Sequence, residues 1–434
     1  MLSTEDNETV TRVGAGTPMG QLLRQYWIPF LASSDVESDG QPYLVRLLGE
    51  DLVAFRDSDG RVGLVDQACP HRGAPMLFAR NEEGGIRCVY HGWKFTVEGR
   101  CEEMPAEPVD SPMVKRVTIK SYPVRERNGV LWAYMGPSKE APPLPDVEWN
   151  LVPESHSVVT FRVQECNWLQ ALEGEIDSAH AAILHGRKGS TISQWRQGQD
   201  LSPTFEVQQH VAGLSVAARR KDGAEHNYIR VNQFLMPFWT LVPPQKQYPE
   251  LSGHAWVPID DHHTLAIMFS YTPDQPFYEK SRKLFKEGYK GRETGHHSAG
   301  NYVTKPLTTP YRNYWSRFNR ANAYDYNYET GMPGLWLEDA ACQSGVAPIY
   351  DRSKEHLGTS DTGIARVRRM LLDSIRRLTQ GQPAPAVDSP ESFMVRAVSI
   401  TIPSGGDWTE YGRDLMKAQL GKGFGYTPLR RSQY

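Results

Sequence analysis

The residues best suited to chemistry in this chain lie between Cys69 and Trp93. They read C-P-H-R-G and then, with sixteen residues between His71 and Cys88, C-V-Y-H-G-W. Cys69 and His71 make a C-x-H pair, and Cys88 and His91 a C-x-x-H pair. Two thiolates and two imidazoles on two tight turns suit a [2Fe–2S] cluster in which Cys holds one iron and His the other. Imidazoles in place of two thiolates remove negative charge and raise the reduction potential. Zinc is the rival, because Cys₂His₂ also binds zinc. A zinc finger, however, spaces its ligands C-x₂₋₄-C and then H-x₃₋₅-H, whereas here each turn carries one Cys and one His. A glycine after each histidine, Gly73 and Gly92, lets the backbone turn sharply and brings amide N–H groups toward sulfur.

A second group lies in E-G-E-I-D-S-A-H-A-A-I-L-H, Glu173 to His185. Asp177, His180 and His185 form D-x₂-H-x₄-H. An oxygen-activating Fe(II) is held by two imidazoles and one carboxylate on one face, which leaves positions open for O₂ and substrate. On a helix Asp177 and His180 are neighbours. His180 and His185 are five apart, roughly 140° around the axis, so they share a face only if the helix kinks or bulges. On spacing alone, two partly exposed helix histidines fit as well as a metal pair.

These residues need elements to position them. From Tyr43, the runs Y-L-V-R-L-L-G, D-L-V-A-F-R and V-G-L-V-D read as short strands separated by Gly and Asp turns. Strands resume around Val114–Tyr122 and Val130–Tyr134, and P-S-K-E-A-P-P-L-P-D then reads as a linker. Beyond it, Val158–Val163 is a strand, Asn167–Leu184 a helix capped by Asn167, and 204–218, 227–236, 253–258 and 264–271 are strand-like. Phe277–Lys286 reads as a helix. Asp361–Leu378 reads as a clearer one, with Ile364, Val367, Leu371, Ile375 and Leu378 on one face and arginines on a solvated face. Upstream, Thr17–Trp27 reads as a short helix with Thr17 as N-cap and Pro18 at its first position. The pattern gives an α+β fold. Residues 1–39 form an N-terminal segment packing on the larger domain, 40–136 a small all-β domain, 137–150 a linker, and 151–434 an antiparallel sheet covered by helices.

The composition excludes several classes. The chain has 434 residues, 23% charged and 39% hydrophobic, with a net charge of −3, so nothing points to nucleic acid as a partner. No run of eighteen apolar residues predicts a membrane span. The acidic start, M-L-S-T-E-D-N-E-T-V, is unlike a targeting peptide, and a cytoplasmic location is expected. Five cysteines are too few for a disulfide scaffold, so Cys101, Cys166 and Cys342 are expected as free thiols. The glycines of G-A-G-T-P-M-G follow no strand and lack the dinucleotide spacing, so NAD or flavin is not expected in this chain.

C-P-H-R-G…C-x-Y-H-G-W resembles the Rieske signature of aromatic ring-hydroxylating oxygenases, and D-x₂-H-x₄-H follows it as in that family. The resemblance covers nearly the whole chain. It implies a Rieske [2Fe–2S] cluster on Cys69, His71, Cys88 and His91, and a mononuclear Fe(II) on His180 and His185. The matching third ligand in L-E-D-A-A-C-Q-S-G is Asp339, with Glu338 as the alternative. With I-Y-D-R-S-K-E-H-L-G-T-S-D at 349–361, this stretch looks like the phthalate dioxygenase type of large (alpha) subunit, whose catalytic domain is helix-grip-like. The resemblance further implies a homotrimer or a stacked pair of trimers. In that assembly Asp177 bridges His180 to a neighbour's His91, and Asp177 is the expected catalytic residue.

Electrons are expected from an NADH-dependent reductase, for which Arg72, Lys94, Arg100 and Lys115 are candidate docking residues. The family resemblance implies an aromatic carboxylate oxidised with O₂, most simply by cis-dihydroxylation of a phthalate-like acid, with O-demethylation of a methoxylated acid as the alternative. Arginine grips a carboxylate bidentately, so Arg196 and Arg230 are the candidate substrate-binding residues, with Arg219 and Arg220 nearby in sequence. A Rieske electron carrier without oxygenase activity is the reading from another class. Such a carrier needs only about a hundred residues, and nearly three hundred follow the cluster region here.

Overall fold

The computed structural model describes residues 1–185, 200–244, 250–277, 279, 282 and 335–422. The N-terminal part contains ten short strands: β1 (Trp27–Ala32), β2 (Tyr43–Leu47), β3 (Glu50–Arg56), β4 (Val62–Asp66), β5 (Arg80–Glu82), β6 (Gly85–Arg87), β7 (Lys94–Phe95), β8 (Cys101–Glu103), β9 (Val124–Arg127) and β10 (Val130–Tyr134). They pair as β2-β3-β4, β5-β6-β7-β8 and β1-β10-β9. A small separate core of Val53, Phe55, Met76, Ile86, Trp93 and Phe95 also takes in Cys69 and Cys88.

Segment 1–39 divides its allegiance. Helices α1 (Thr4–Thr11) and α2 (Pro18–Leu23) pack on the long helix Thr362–Thr379. The last strand of the segment, β1, instead pairs with β10 inside the small domain. Its sequence W-I-P-F-L-A is buried throughout, and Pro29 is tolerated because β1 is an edge strand. The helix expected over Thr17–Trp27 stops at Leu23; Thr17 caps it, with its hydroxyl accepting from Gly20 N at 3.1 Å. Val114–Tyr122 is no strand either. It opens as one helical turn, Met113–Arg116, and then makes only isolated bridges through Thr118 and Ser121.

The larger domain is built on an eight-stranded antiparallel sheet of β11 (Ser157–Gln164), β12 (Thr204–His210), β13 (Gly213–Asp222), β14 (His226–Leu235), β15 (Trp239–Val242), β16 (Leu251–Pro258), β17 (Thr264–Tyr271) and β18 (Val398–Pro403). The order is β11-β17-β16-β15-β14-β13-β12, with β18 pairing along the first half of β14. Residues opposite one another in an antiparallel pair point to the same face, and faces alternate along a strand. The register Arg220↔Tyr228, Thr240↔Phe234 and His254↔Thr240 therefore puts Arg220, Arg230, Asn232, Thr240, His254 and Trp256 on one face. The other face carries Trp239, which meets Trp132 and Trp149 of the N-terminal part at centroid distances of 5.6 and 6.3 Å. That tryptophan contact joins the two domains into one continuous core.

Four helices concern the site: α3 (Trp168–Ile176), α4 (His180–Ile183), α5 (Leu335–Ser344) and α6 (Thr362–Thr379). The single helix expected over 167–184 is two helices, broken at Asp177–Ala179. Along α6 Val367, Leu371 and Ile375 of the predicted apolar stripe are buried and Ile364 and Leu378 partly so, but the arginines do not all face solvent. Arg368 is buried, with its guanidinium bound to Glu173 at 2.6 Å and Glu355 at 2.5 Å. Position 368 lies four residues after Ile364 and three before Leu371, so it falls within the stripe. The helix expected over Phe277–Lys286 lies largely outside the described residues. Among the described residues, no helix is long and apolar enough to cross a membrane.

Candidate metal centres

Two loops of matching geometry carry the first group. Cys69 N donates to Ala74 O at 2.9 Å and Gly73 N to Cys69 O at 2.8 Å. In the second loop Cys88 N donates to Trp93 O, and Gly92 N to Cys88 O, both at 2.9 Å. Gly73 and Gly92 have φ of 72° and 75°, a region that β-carbon sterics disfavour, so the turns need glycine there. His71 and His91 face each other edge to face at 4.4 Å, and Trp93 stacks on His71 at 4.3 Å. Burial, then the adjacent Cys88, push the Cys69 thiol up to about 11. Burial, with His71 and Arg72 beside it, holds the His91 imidazole below its usual value. Nδ1 of His71 is buried and has no hydrogen-bond partner among the described residues. Crowded thiols without a counter-charge and an orphan ring nitrogen fit a cationic cluster bound between the loops.

The second group is assembled by the helix break. Asp177 ends α3 and starts the next turn, its Oδ1 accepting from Ala179 N at 2.7 Å and its Oδ2 from His180 N at 3.4 Å. This interruption supplies the kink that the five-residue histidine spacing demands. His180 and His185 rings then lie 5.3 Å apart, and both Nε2 atoms approach one oxygen of Asp339, at 3.4 and 3.3 Å. One ligand atom from each of the three lies within 4.8 Å of the others, a set able to hold a metal ion. Burial lowers the His180 imidazole, but bonds to Asp177 and Asp339 outweigh it and raise it to about 10. Burial raises the Asp339 carboxyl, and the two imidazoles outweigh that and hold it near 2. A dense cluster of opposite charges on one point is what a divalent cation replaces.

The carboxylates on either side have separate tasks. Glu338, the alternative third ligand, turns away from the histidine–aspartate cluster, and its Oε2 lies 2.8 Å from Nδ1 of His185. Asp177 stands 3.3 Å from Nδ1 of His180. Each imidazole is thus held from behind with Nε2 turned inward. Helix α5 is fixed to α3 by Gln170 Nε2, which donates to Gln343 O at 2.7 Å. Glu173 binds Arg352 at 3.1 Å and Arg368 at 2.6 Å, all buried.

Of the predicted substrate arginines, Arg196 lies outside the described residues. Arg230 is buried and does not point to solvent; it donates to Pro243 O at 3.0 Å. Arg220, not singled out above its neighbours in the sequence, is fully buried and donates to Ser178 O at 2.7 Å, directly after Asp177. Burial and the nearby Arg230 charge pull Arg220 down to about 10, still well above neutral pH, so it stays charged. Its Nε has no partner among the described residues. Arg219, on the other face, is tied to Glu206 at 2.9 Å. Of the docking candidates, Lys94 is buried and paired with Glu102 and Glu103 at 3.4 Å, so it is not a surface charge.

A small β domain with a Cys₂His₂ loop pair, followed by a helix-covered antiparallel sheet with a His₂Asp cluster, defines a two-centre Rieske oxygenase subunit. The Rieske [2Fe-2S] domain family matches residues 26–123, and the family described as LigXa C-terminal domain like matches residues 133–425. The chain is 36% identical over 424 residues to the 3-chlorobenzoate-3,4-dioxygenase oxygenase subunit of Comamonas testosteroni, covering 94% of this chain and 97% of that one. It is 37% identical over 404 residues to the phthalate 4,5-dioxygenase oxygenase subunit of Pseudomonas putida, covering 88% of each. It is 31% identical to the 5,5'-dehydrodivanillate O-demethylase oxygenase subunit of a Sphingobium species, covering 89% of this chain and 84% of that one.

The chain belongs to the Rieske non-haem iron oxygenases, as a phthalate dioxygenase-type oxygenase subunit. It is a terminal oxygenase component, and its cofactors are a Rieske [2Fe–2S] cluster and a mononuclear iron. Its fold is that of the oxygenase in the carbazole 1,9a-dioxygenase complex with ferredoxin (TM-score 0.56, 19% identity, 85% of this chain and 93% of that one). Dicamba monooxygenase shares it at a TM-score of 0.56 and 16% identity, over 83% of this chain and 99% of that one.

Proposed function

We propose that this subunit cis-dihydroxylates a phthalate-like aromatic carboxylate. In this reading Cys69, His71, Cys88 and His91 hold the cluster, and His180, His185 and Asp339 hold the mononuclear iron. The observation that carries the substrate class is the Arg220–Arg230 pair. Two buried guanidiniums share the sheet face beneath the iron turn, and no carboxylate hydrogen-bonds Arg220 among the described residues. Asp177 and Asp200 act on Arg220 through charge alone, with no hydrogen bond to it among the described residues, so its guanidinium can still take an aryl carboxylate. Likeness to the chlorobenzoate and phthalate dioxygenase subunits supports the same class. The O-demethylase relative keeps oxidation of a methoxylated acid as the second reading.

When bound, the cluster supplies single electrons and the mononuclear iron activates O₂. This chain's own residues do the rest. Asp177 and Glu338 hold the outer nitrogens of His180 and His185 and so aim their inner nitrogens. Arg220, tied to Ser178, places the carboxylate end of the substrate relative to that turn.

A homotrimer is the proposed assembly, with Asp177 bridging to His91 of the next subunit. Val89 and Tyr90 beside His91 are 52% and 56% exposed, and Ile183 beside the iron turn is 57% exposed, which suits a covered interface. An NADH-dependent reductase is the proposed electron source, directly or through a ferredoxin, with Arg72, Arg100 and Lys115 as its docking charges. The cytoplasm is the proposed location.

The test is turnover with a reductase, NADH and a panel of aryl carboxylates. A cis-diol supports the proposal, and formaldehyde supports the second reading. In Arg220→Gln the KM for the acid rises at least about tenfold, and an uncharged analogue is unaffected. Equal loss on both substrates refutes the carboxylate site.

A further inference from the structure

We infer that Glu175 is a positioning residue for the mononuclear iron site, fixing the α3–α4 break and with it Asp177 and His180. The run E-G-E-I-D sets three carboxylates two residues apart at the end of α3. Glu173 is taken up by Arg352 and Arg368, and Asp177 by its own turn. Glu175 alone reaches the sheet, and it does so with both oxygens. Its Oε1 lies 2.5 Å from Nδ1 of His254. Its Oε2 accepts from Nε1 of Trp256 at 3.0 Å and from the Thr240 hydroxyl. Its main-chain carbonyl accepts from Nδ2 of Asn232 at 3.0 Å.

These partners are themselves fixed. Thr240 and His254 are directly opposed on β15 and β16, and Trp256 follows two residues along the same face. The His254 ring stacks on the Trp256 indole at 4.7 Å, and that indole also donates to Thr240 at 2.8 Å. A helix end has unpaired carbonyls and frays into solvent unless something holds it. Here the last full turn is held by side chain and backbone together, one residue before the helix ends at Ile176. Glu175 makes no hydrogen bond or ion pair with His180, His185 or Asp339, so its effect on the metal passes through the placing of the α3–α4 break and the His180 that follows it. Groups that orient ligands in this way change metal affinity by about 10–100-fold when removed.

This inference rests on His180, His185 and Asp339 being the iron ligands, and it is independent of the substrate. The test uses full-length protein with its Rieske cluster in place and the mononuclear site emptied. Fe(II) is titrated anaerobically, and nitric oxide is added as a probe of the bound ion by EPR. Glu175→Gln keeps the shape but turns an N–H₂ toward the donors. It is expected to bind Fe(II) about tenfold more weakly, with a broadened nitrosyl signal and an unchanged cluster spectrum. His254→Ala moves the same way. His254→Asn, whose amide nitrogen can stand where Nδ1 stands, restores the parent behaviour. Parent-like Fe(II) affinity and an unchanged nitrosyl signal in Glu175→Gln overturn the inference. So does joint loss of cluster spectrum and cooperative melting in both His254 variants, which marks a general structural role. If the parent itself takes up no Fe(II), it is the ligand assignment that has failed.

Discussion

Glu338 Oε2 and His185 Nδ1 stand 2.8 Å apart, on the side of the imidazole turned away from Asp339. Neighbouring carboxylates on one helix thus grip opposite nitrogens of one ring. With its proton on Nδ1, held by Glu338, the ring presents Nε2 as a lone pair toward Asp339 and His180. In Glu338→Ala the buried nitrogen loses that partner and the tautomer is no longer fixed. Fe(II) affinity should fall about 10–100-fold while the cluster spectrum persists. Iron retained after dialysis against a weak chelator measures it.

Asp177→Asn should separate wiring from binding. Asn keeps an oxygen for the Ala179 N–H, so the helix break survives. It loses the negative charge beside His180. Both metal centres should load normally, while turnover falls by about 10–100-fold or more. Single-turnover product formation with a pre-reduced cluster distinguishes this from poor reduction by the partner protein.

Glu173, buried against Arg352 and Arg368, should set much of the acid stability. Burial raises its carboxyl, and the two guanidiniums outweigh that and hold it below its ordinary 4.5. A depressed carboxylate stabilises the fold above the unfolded value and loses that contribution as pH falls through the folded value. The parent should therefore weaken below about pH 4.5, and Glu173→Gln should show a flatter acid limb. At neutral pH Glu173→Gln takes the carboxylate from buried Arg352, while Arg368 keeps Glu355, and costs about 3–5 kcal/mol. Urea unfolding at pH 7 and pH 4 measures both effects.

How far the sequence foretold this depends on which contacts carry a local signal. Cys69, His71, Cys88 and His91 lie within one stretch, and their turns are marked by glycines. His180 and His185 were ambiguous because an ideal helix separates them; the break at Asp177 removes the objection, and the D-S-A capping pattern after α3 was its only local sign. Asp339 comes from a helix far along the chain, and no spacing rule connects it to the histidines. Arg368 shares its charge with the exposed arginines around it, but its distances from Ile364 and Leu371 put it in the buried stripe. Arg220 and His254 are set by sheet register, which period-two alternation gives only once the strand order is known, and Glu175 meets that face only through the packing of α3 on it.

Asp35 offers a check on the N-terminal part. Burial raises its carboxyl from 3.8 to about 6, and its Oδ2 has no partner among the described residues. A raised carboxylate costs stability as pH climbs from the unfolded toward the folded value and beyond. Asp35→Asn should therefore stabilise the protein at pH 7 by about 1 kcal/mol, allowing for solvent screening, and give no gain near pH 4. Thermal melts at the two pH values test this.

Metal counting tests the presence of two separate iron centres most directly. Iron and acid-labile sulfide should be measured per chain in the parent and in a His180→Ala, His185→Ala double variant. The expected parent values are about three irons and two sulfides, with about two irons and an unchanged Rieske EPR signal in the variant. A parent with two irons that the double variant does not alter, or with zinc between Cys69 and His91, contradicts it.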